Sequence, residues 1–273
     1  MVTPPATLFR LSGLAPILSE LYAAADDFTE IAELLPELAT PNRPFAPAAS
    51  FERCIDLRDF VFEAAFARTA MIDFFLRRLG VEPSSISPAD RRNTWLAGRV
   101  PPAVPPLDEA YVMLTPHASM HLRNMPPEIQ SFILRRLARF GRTAVMQGAA
   151  DSPAQHVISS AMTLEALCGW IRHAALVIST DTGIVHLADA FQVPCLAFFT
   201  THLPEWRARD YPLCRSVHLP ISGLPEALEF ARDDTDLAAA RAAWFPHGRD
   251  LAWLDDALDA ALAPISGSWA MAR

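Results

Sequence analysis

The sequence contains no lysine, and all 23 of its basic residues are arginine. Any positive charge that binds an anionic ligand must therefore come from arginine, histidine or backbone amides, because the compact ammonium group of lysine is missing. Acidic residues outnumber basic ones, and the net charge is −8. This balance argues against non-specific nucleic-acid binding, which requires a basic face. We expect no nucleic-acid partner.

Cysteine is scarce, and its spacing contains no metal-binding motif. The four cysteines are far apart and form no Cys-x-x-Cys pair: Cys54, Cys168, Cys195 and Cys214. This pattern argues against a disulfide scaffold and against a zinc site. We expect reduced, mostly buried thiols and no bound metal.

Long apolar runs are also missing. No segment approaches the roughly 18–20 apolar residues that cross a bilayer, and the N-terminal residues do not follow the pattern of a signal peptide. With 273 residues, half of them apolar, the chain can bury the core of one large domain or two modest ones. We expect a cytoplasmic protein with at most peripheral membrane contact.

Two proline-rich stretches divide the chain. Residues 41–48 are expected to form a loop, and residues 100–106 an interdomain linker, because successive prolines favour an extended backbone. We therefore predict an N-terminal domain over 1–106 and a C-terminal domain over 107–273.

After the linker, apolar periods of two and of 3.6 residues alternate, which indicates strands alternating with helices in a parallel sheet. The predicted strands cover 111–115, 143–147, 156–159, 175–178, 194–199 and 215–219. The predicted helices cover 127–140, 164–174, a segment starting near 184, 224–232, 234–244 and 248–262. Before the linker, we predict helices at 16–25, 28–35 and 60–79, the last ended by Gly80, and a strand at 51–57. This first part is α/β but too short for a complete Rossmann-like domain.

The most informative segment is 176–194, in which an apolar run leads into Ser-Thr-Asp-Thr-Gly and then into a helical pattern. A buried strand, a tight turn and a helix N-terminus explain this change of period. Such a turn directs backbone N–H groups and the positive end of a helix dipole at one spot, which suits a phosphate. Gly183 permits close approach of a ligand, and His186 lies about one turn into the helix.

These residues form part of a longer pattern. The segment Asp181-Thr182-Gly183 is followed by His186 and Ala188, and then by a strand led by Pro194 that ends in Phe198-Phe199-Thr200-Thr201. Upstream lie Thr115-Pro116-His117-Ala118-Ser119, Met125-Pro126 and Thr163-Leu164. The chain thus resembles glycosyltransferase family 9, the heptosyltransferases of the lipopolysaccharide inner core, well over about 108–220 and loosely over 51–80.

The resemblance implies a GT-B-like α/β fold: a Rossmann-like, parallel-sheet C-terminal domain and a shortened N-terminal α/β domain on the acceptor side. It further implies inverting, metal-independent transfer of a sugar such as heptose from a nucleotide-diphosphate donor such as ADP-heptose. The acceptor would be lipopolysaccharide or another cell-envelope glycan or glycolipid, and no separate cofactor is needed. The implied substrate-binding residues are Ser119, Arg123, Asp181, Thr182, Gly183, His186, Thr200 and Thr201.

Three positions depart from the family pattern. Arg123 stands where the family has a phosphate-binding lysine, Phe199 replaces a loop glycine, and the family's first strand with its glycine-rich turn has no counterpart before Val2. The chain is therefore expected to begin partway through that domain. The family's catalytic aspartate lies near this missing turn, and none of Asp26, Asp27, Asp56 and Asp59 is in a motif that identifies a base.

Four of these site residues also have a simpler interpretation. Asp181 and Thr182 are typical N-cap residues, His186 could be a core histidine, and Arg123 an ordinary surface charge. Three functions stay open: a glycosyltransferase, a non-catalytic nucleotide-sugar-binding relative or partner module, and an unrelated Rossmann-like enzyme for another phosphorylated ligand.

Overall fold

The protein is described from a computed structural model. It describes residues 65–101, 104–139, 142–146, 155–159, 162–225 and 231–270. The helices predicted at 16–25 and 28–35, the strand at 51–57, the loop at 41–48 and the four N-terminal aspartates lie outside these residues. The chain divides into two compact units, and the second begins at Pro88 and runs to Arg273.

In the first unit, helix α1 spans Met71–Arg78. The prediction of one helix over 60–79 was wrong, because Thr69 is extended (φ −136°, ψ 146°) between this helix and a 3-10 helix at Phe66–Arg68. The break lets the Phe66 ring pack edge-on against that of Phe74, with the centroids 5.2 Å apart. As predicted, Gly80 terminates helix α1: it follows the C-cap Leu79 and has a left-handed φ of +77°. A 3-10 helix follows at Pro83–Ser85.

The second unit contains six parallel strands in the order β3-β2-β1-β4-β5-β6. Their bounds are Tyr111–Thr115 (β1), Arg142–Met146 (β2), Gln155–Ile158 (β3), Leu176–Thr180 (β4), Cys195–Phe199 (β5) and Cys214–His218 (β6). The predicted parallel α/β sheet is confirmed, and each predicted strand lies within one or two residues of its observed position. This order is that of a Rossmann-like sheet.

Helices cover both faces of the sheet. They are Pro127–Leu137 (α2), Leu164–Arg172 (α3), Gly183–Ala190 (α4), Pro204–Arg207 (α5), Asp234–Ala243 (α6) and Ala252–Ala270 (α7). Strands β1, β4 and β5 are buried along their whole length, which explains their continuous apolar runs. One face of the sheet packs with α2 and α7, and the other with α3 and α4.

The structure differs from two predictions for the C-terminal part of the chain. Residues 222–224 form a turn where a helix over 224–232 was predicted, and most of that predicted helix lies outside the described residues. The last helix begins at Ala252 rather than at residue 248. Gly248 has a left-handed φ of +64°, which is not helical. The Asp250 carboxylate accepts a hydrogen bond from the Ala252 N–H, at the first residue of the helix, at 2.9 Å.

The segment that follows Pro88 packs against α4. A 3-10 helix spans Thr94–Gly98, and just before it the Arg92 guanidinium pairs with the Asp189 carboxylate at 2.8 Å. Asp189 also accepts a hydrogen bond from the Asn93 N–H at 3.2 Å. The second compact unit therefore includes residues that precede the predicted domain start at 107. Within the described ranges, no helix is long and apolar enough to span a membrane.

Candidate functional site

The candidate site lies at the carboxyl ends of β1 and β4, which pair with each other at the centre of the sheet. The chain leaves β1 toward β2 on one side and β4 toward β5 on the other. In open α/β sheets, ligands bind in the crevice that opens at such a switch point. The loop after β1 carries Ser119 and Arg123, and the turn after β4 carries Asp181, Thr182 and Gly183.

Thr182 is the N-cap of helix α4. Its Oγ1 accepts a hydrogen bond from the Ile184 N–H at 3.2 Å, and its carbonyl accepts one from Val185 at 3.1 Å. The cap interpretation therefore holds for Thr182, and the first turn of α4 directs its dipole toward the crevice. A Cβ placed on Gly183 would meet no atom within 4 Å. The space beside the Gly183 Cα is therefore open.

Asp181 is not the cap. Its side chain is 3% exposed, and its carboxylate lies 3.2 Å from Nδ1 of His202 and 3.6 Å from Nη1 of Arg123. Burial alone would raise the pKa of this carboxyl. The hydrogen bond from His202 and the charge of Arg123 outweigh burial, and the pKa lies below its usual value. Asp181 is therefore an ionised group engaged inside the protein.

Arg123 joins the two loops of the site. Its Nη1 donates to the backbone carbonyl of Asp181 at 3.2 Å, and its side chain is 14% exposed. The loop that carries Arg123 is itself held in place, because the Met125 N–H donates to the Pro116 carbonyl at 2.8 Å and Thr200 Oγ1 donates to the Leu122 carbonyl at 2.9 Å. Arg123 is thus a partly buried cation at the switch point, not an ordinary surface charge.

His186 lies one turn into α4 and is half-buried. Its Nδ1 lies 2.7 Å from the hydroxyl of Tyr211, which also accepts a hydrogen bond from Nδ2 of Asn93 at 2.7 Å. Burial lowers the pKa of His186 most, the Arg207 charge adds to this effect, and the carboxylates of Asp181 and Asp189 oppose it.

The remaining predicted residues lie around this centre. Thr200 and Thr201 are buried after β5, and Thr201 Oγ1 lies 3.0 Å from Nδ1 of His202. Ser119 is exposed in the loop after β1. The structure therefore brings Arg123, Asp181 and the first turn of α4 together, with Thr200 and Thr201 beside them. Ligand binding by these residues stays a prediction.

Sequence reasoning did not find the interactions of four residues that complete the site: Asn93, His202, Arg207 and Tyr211. Arg207 is buried, with 9% of its surface exposed, although it lies on a polar four-residue helix. Each acts on Asp181 or His186 from a distant part of the chain, and no local spacing encodes such contacts. In the part of the chain that the structure describes, no three His, Cys, Asp or Glu residues are grouped as metal ligands.

The strand order defines a Rossmann-like domain. Its candidate site is at the switch point, where the turn from Asp181 to Gly183 is suited to bind an anion. A comparison with protein families is more specific: the model of glycosyltransferase family 9 (heptosyltransferase) matches residues 138–235. The match includes the whole turn from Asp181 to His186 and confirms the resemblance read from the sequence in the C-terminal part of the chain. No protein with a curated description matches the chain.

The chain is also similar to several solved structures of heptosyltransferases and other glycosyltransferases. The E. coli heptosyltransferase WaaC with ADP-2-deoxy-2-fluoro heptose is 20% identical, with a TM-score of 0.42, 57% of this chain covered and 50% of that chain. E. coli ADP-heptose LPS heptosyltransferase II is 16% identical, with a TM-score of 0.40 and coverages of 57% and 47%.

The iron-containing dodecameric glycosyltransferase TibC from enterotoxigenic E. coli is 14% identical, with a TM-score of 0.46 and coverages of 60% and 48%. The chain thus spans about half the length of these structures. Because these TM-scores are low, the fold is assigned from the strand order of the chain itself.

Proposed function

We propose that the chain is a glycosyltransferase that binds a nucleotide-diphosphate sugar, such as ADP-heptose, at the switch point of its sheet. The sugar passes with inversion to an acceptor hydroxyl of lipopolysaccharide or another cell-envelope glycan. The observation that carries this proposal is the hydrogen bond of 3.2 Å from Nη1 of Arg123 to the Asp181 carbonyl, which holds a cation beside the turn that leads into α4. This turn, though not Arg123, lies in the segment that matches the family.

The chemistry follows from the charges at this point. Transfer from a nucleotide diphosphate leaves negative charge on the departing diphosphate, and positioned donors that face this charge lower the barrier. The Arg123 guanidinium and the first-turn amides of α4 supply a cation and hydrogen-bond donors. Because Arg123 is anchored by Asp181, its position is set before the ligand arrives, which reduces the cost of organising the site.

We propose that Asp181 orients Arg123 and that Gly183, Thr182 and His186 contact the diphosphate. Ser119 in the exposed part of the first loop, with Thr200 and Thr201 after β5, would form the walls of the same crevice. The catalytic base is unassigned within the described residues. No metal is required in this proposal, because arginine and the helix terminus provide the positive charge.

Calorimetric titration with ADP, GDP and UDP tests the donor site. We expect ADP to bind, and Arg123→Ala to weaken its binding about tenfold or more, since a charge-assisted contact contributes about 1.5–3 kcal/mol. Arg136→Ala is the matched control, because Arg136 is an arginine on α2 that pairs with Asp255 at 2.7 Å, outside the switch point. Equal losses in the two variants, or no binding of any of the three nucleotides, would overturn the proposed site.

Metal independence is tested separately. We expect ADP-heptose turnover with an envelope glycan extract to be unchanged after dialysis against EDTA. Loss of turnover that added Mg²⁺, Mn²⁺ or iron restores would show that a metal takes part, and the arginine-based account of leaving-group stabilisation would be wrong.

The second candidate is a chain that binds a nucleotide sugar without transferring it, as a partner module of a complete transferase. The confinement of the family match to residues 138–235 favours this candidate. The two functions differ in turnover alone: a chain that binds ADP but never releases it from ADP-heptose in the presence of acceptor extract fits only the second.

The cellular location is part of the same proposal. We propose a cytoplasmic protein with at most peripheral contact with the membrane on which its acceptor is assembled. Fractionation of cells that express the chain should place it in the supernatant at high salt, and recovery only after detergent extraction would contradict this.

A further inference from the structure

Two short hydrogen bonds connect Asn93 and Tyr211 to the imidazole of His186. Nδ2 of Asn93 lies 2.7 Å from the Tyr211 hydroxyl oxygen, and this oxygen lies 2.7 Å from Nδ1 of His186. The Tyr211 and His186 rings are nearly perpendicular, at 88°, with their centroids 5.7 Å apart. The packing of the rings and the hydrogen bonds therefore fix the same geometry.

The direction of these hydrogen bonds follows from the donors available. The amide nitrogen of Asn93 can only donate, so the Tyr211 oxygen accepts from it. The single hydroxyl proton of Tyr211 is then free to be donated to Nδ1 of His186. Nδ1 accepts it only when it carries no proton, and the proton of the neutral ring is then on Nε2.

The ionisation states agree with this direction. Burial lowers the pKa of His186, with Arg207 adding to the effect and Asp181 and Asp189 opposing it, so the ring is neutral at pH 7. Burial also raises the pKa of Tyr211, as does the charge of Asp189, so the phenol keeps its proton. Among the described residues, Nε2 of His186 has no hydrogen-bond partner.

We propose that Tyr211 and Asn93 are positioning residues that hold His186 as the Nε2–H tautomer, so that this N–H donates to an anionic oxygen of the bound diphosphate. The ligand contact rests on the proposed function, whereas the tautomer is a property of the ligand-free protein. The opposite tautomer would present a lone pair to the diphosphate and repel it.

Nitrogen NMR of the ligand-free full chain, with histidine labelled with ¹⁵N, tests the tautomer directly. We expect the His186 signals to show an unprotonated Nδ1 and a protonated Nε2 at pH 7. In Tyr211→Phe, which keeps the ring and removes the hydroxyl, both tautomers should be populated. Tyr111→Phe is the matched control, because it removes a hydroxyl that donates to the Trp170 carbonyl at 2.5 Å and leaves the His186 network intact.

A variant that reverses the direction of the two hydrogen bonds tests the tautomer further. Asn93→Asp replaces the donor to Tyr211 with an acceptor, so the hydroxyl proton should turn to the new carboxylate and Nδ1 of His186 should donate to the Tyr211 oxygen. We expect the His186 proton to move from Nε2 to Nδ1 in this variant. A protonated Nδ1 in the wild-type chain, or the same tautomer in all four proteins, would overturn the inference.

Binding measurements then separate this inference from the proposed function. We expect Tyr211→Phe to weaken ADP binding by about two- to tenfold, the range that one hydrogen bond supplies, and Tyr111→Phe to leave it unchanged. If the chain binds no nucleotide, the proposed function fails and the NMR result still decides the tautomer. If ADP binds and Tyr211→Phe shifts the tautomer without weakening binding, the proposed ligand contact of His186 is wrong.

Discussion

Asp181 carries a negative charge in a buried position, where it is paired with Arg123 and His202. The carboxylate is 3% exposed, and it contacts His202 and Arg123 rather than the open crevice. A buried carboxylate is tolerated only when charged or hydrogen-bonded groups compensate for its lost hydration. The family pattern suggests Asp181 as a ligand contact, whereas its carboxylate contacts Arg123 and His202 in the structure. In the proposed function, Asp181 would fix the position of this cation beside the ligand.

Asp181→Asn keeps the shape of the side chain and removes its charge. We expect a loss of about 3 kcal/mol in the free energy of unfolding, because the substitution leaves the partly buried Arg123 without its anion. Urea unfolding at pH 7 measures this change. Asp250→Asn, two residues before α7, is the control for loss of an exposed carboxylate, and a similar loss there would contradict the special role of Asp181.

The same carboxyl gives a pH dependence with a defined sign. Its pKa is lower in the folded protein than in the unfolded chain, so ionisation favours folding. This contribution is complete above about pH 4, the usual carboxyl pKa, and is lost as pH falls through the lower folded pKa. Urea midpoints measured between pH 7 and pH 3 should therefore fall more steeply for the wild type than for Asp181→Asn. Parallel curves would show that Asp181 does not titrate as described.

The N-terminus of α4 is both a capped helix end and a candidate ligand site. Mutations can distinguish the effect of the cap on stability from its effect on ligand binding. Thr182 caps α4 through Ile184, and Thr163 caps α3 in the same way, its Oγ1 accepting from the Ala166 N–H at 3.2 Å. We expect Thr182→Ala and Thr163→Ala each to cost about 1 kcal/mol of stability. Only Thr182→Ala should also weaken ADP binding, as thermal unfolding and calorimetry on the same samples would show.

Gly183 and Gly98 form a second matched pair on helical elements. A Cβ would meet nothing within 4 Å at either position, so both alanine variants should fold with stability equal to the wild type or higher. In the proposed function, the methyl group added at Gly183 would occupy the space through which a phosphate reaches the backbone. We expect Gly183→Ala to lower ADP affinity at least fivefold and Gly98→Ala to leave it unchanged. An unchanged affinity for Gly183→Ala would show that the ligand does not approach this amide.

The strands and the turn were predictable because their signals are local. The apolar runs of β1, β4 and β5 mark buried strands, and the residues from Asp181 to Gly183 mark a turn at the end of β4. The pairing of Asp181 with Arg123, and of His186 with Tyr211 and Asn93, was not predictable. These partners are brought together by the strand order and not by sequence spacing. The break before Met71 was also missed, because aromatic packing overrides a continuous helical pattern.

Across the second unit, one ion pair ties residues before the predicted linker to the helix of the site. Arg92 binds Asp189 at 2.8 Å, and the side chains are 16% and 2% exposed. We expect Arg92→Ala to lower the free energy of unfolding by about 3 kcal/mol, because Asp189 keeps a buried charge without its cation. The double variant Arg92→Ala/Asp189→Ala should cost less than the sum of the single variants. Additive losses would show that the pair does not couple this segment to α4.

The order of the strands also constrains how the chain is made. Strand β1 is at the centre of the sheet, but both of its neighbours, β2 and β4, follow it in sequence. During synthesis on the ribosome, one edge of this apolar strand has no partner until Thr180 has left the exit tunnel. An unpaired apolar edge favours association with other chains. Nascent chains that are stalled before this point should therefore recruit chaperones, and those stalled well after it should release them.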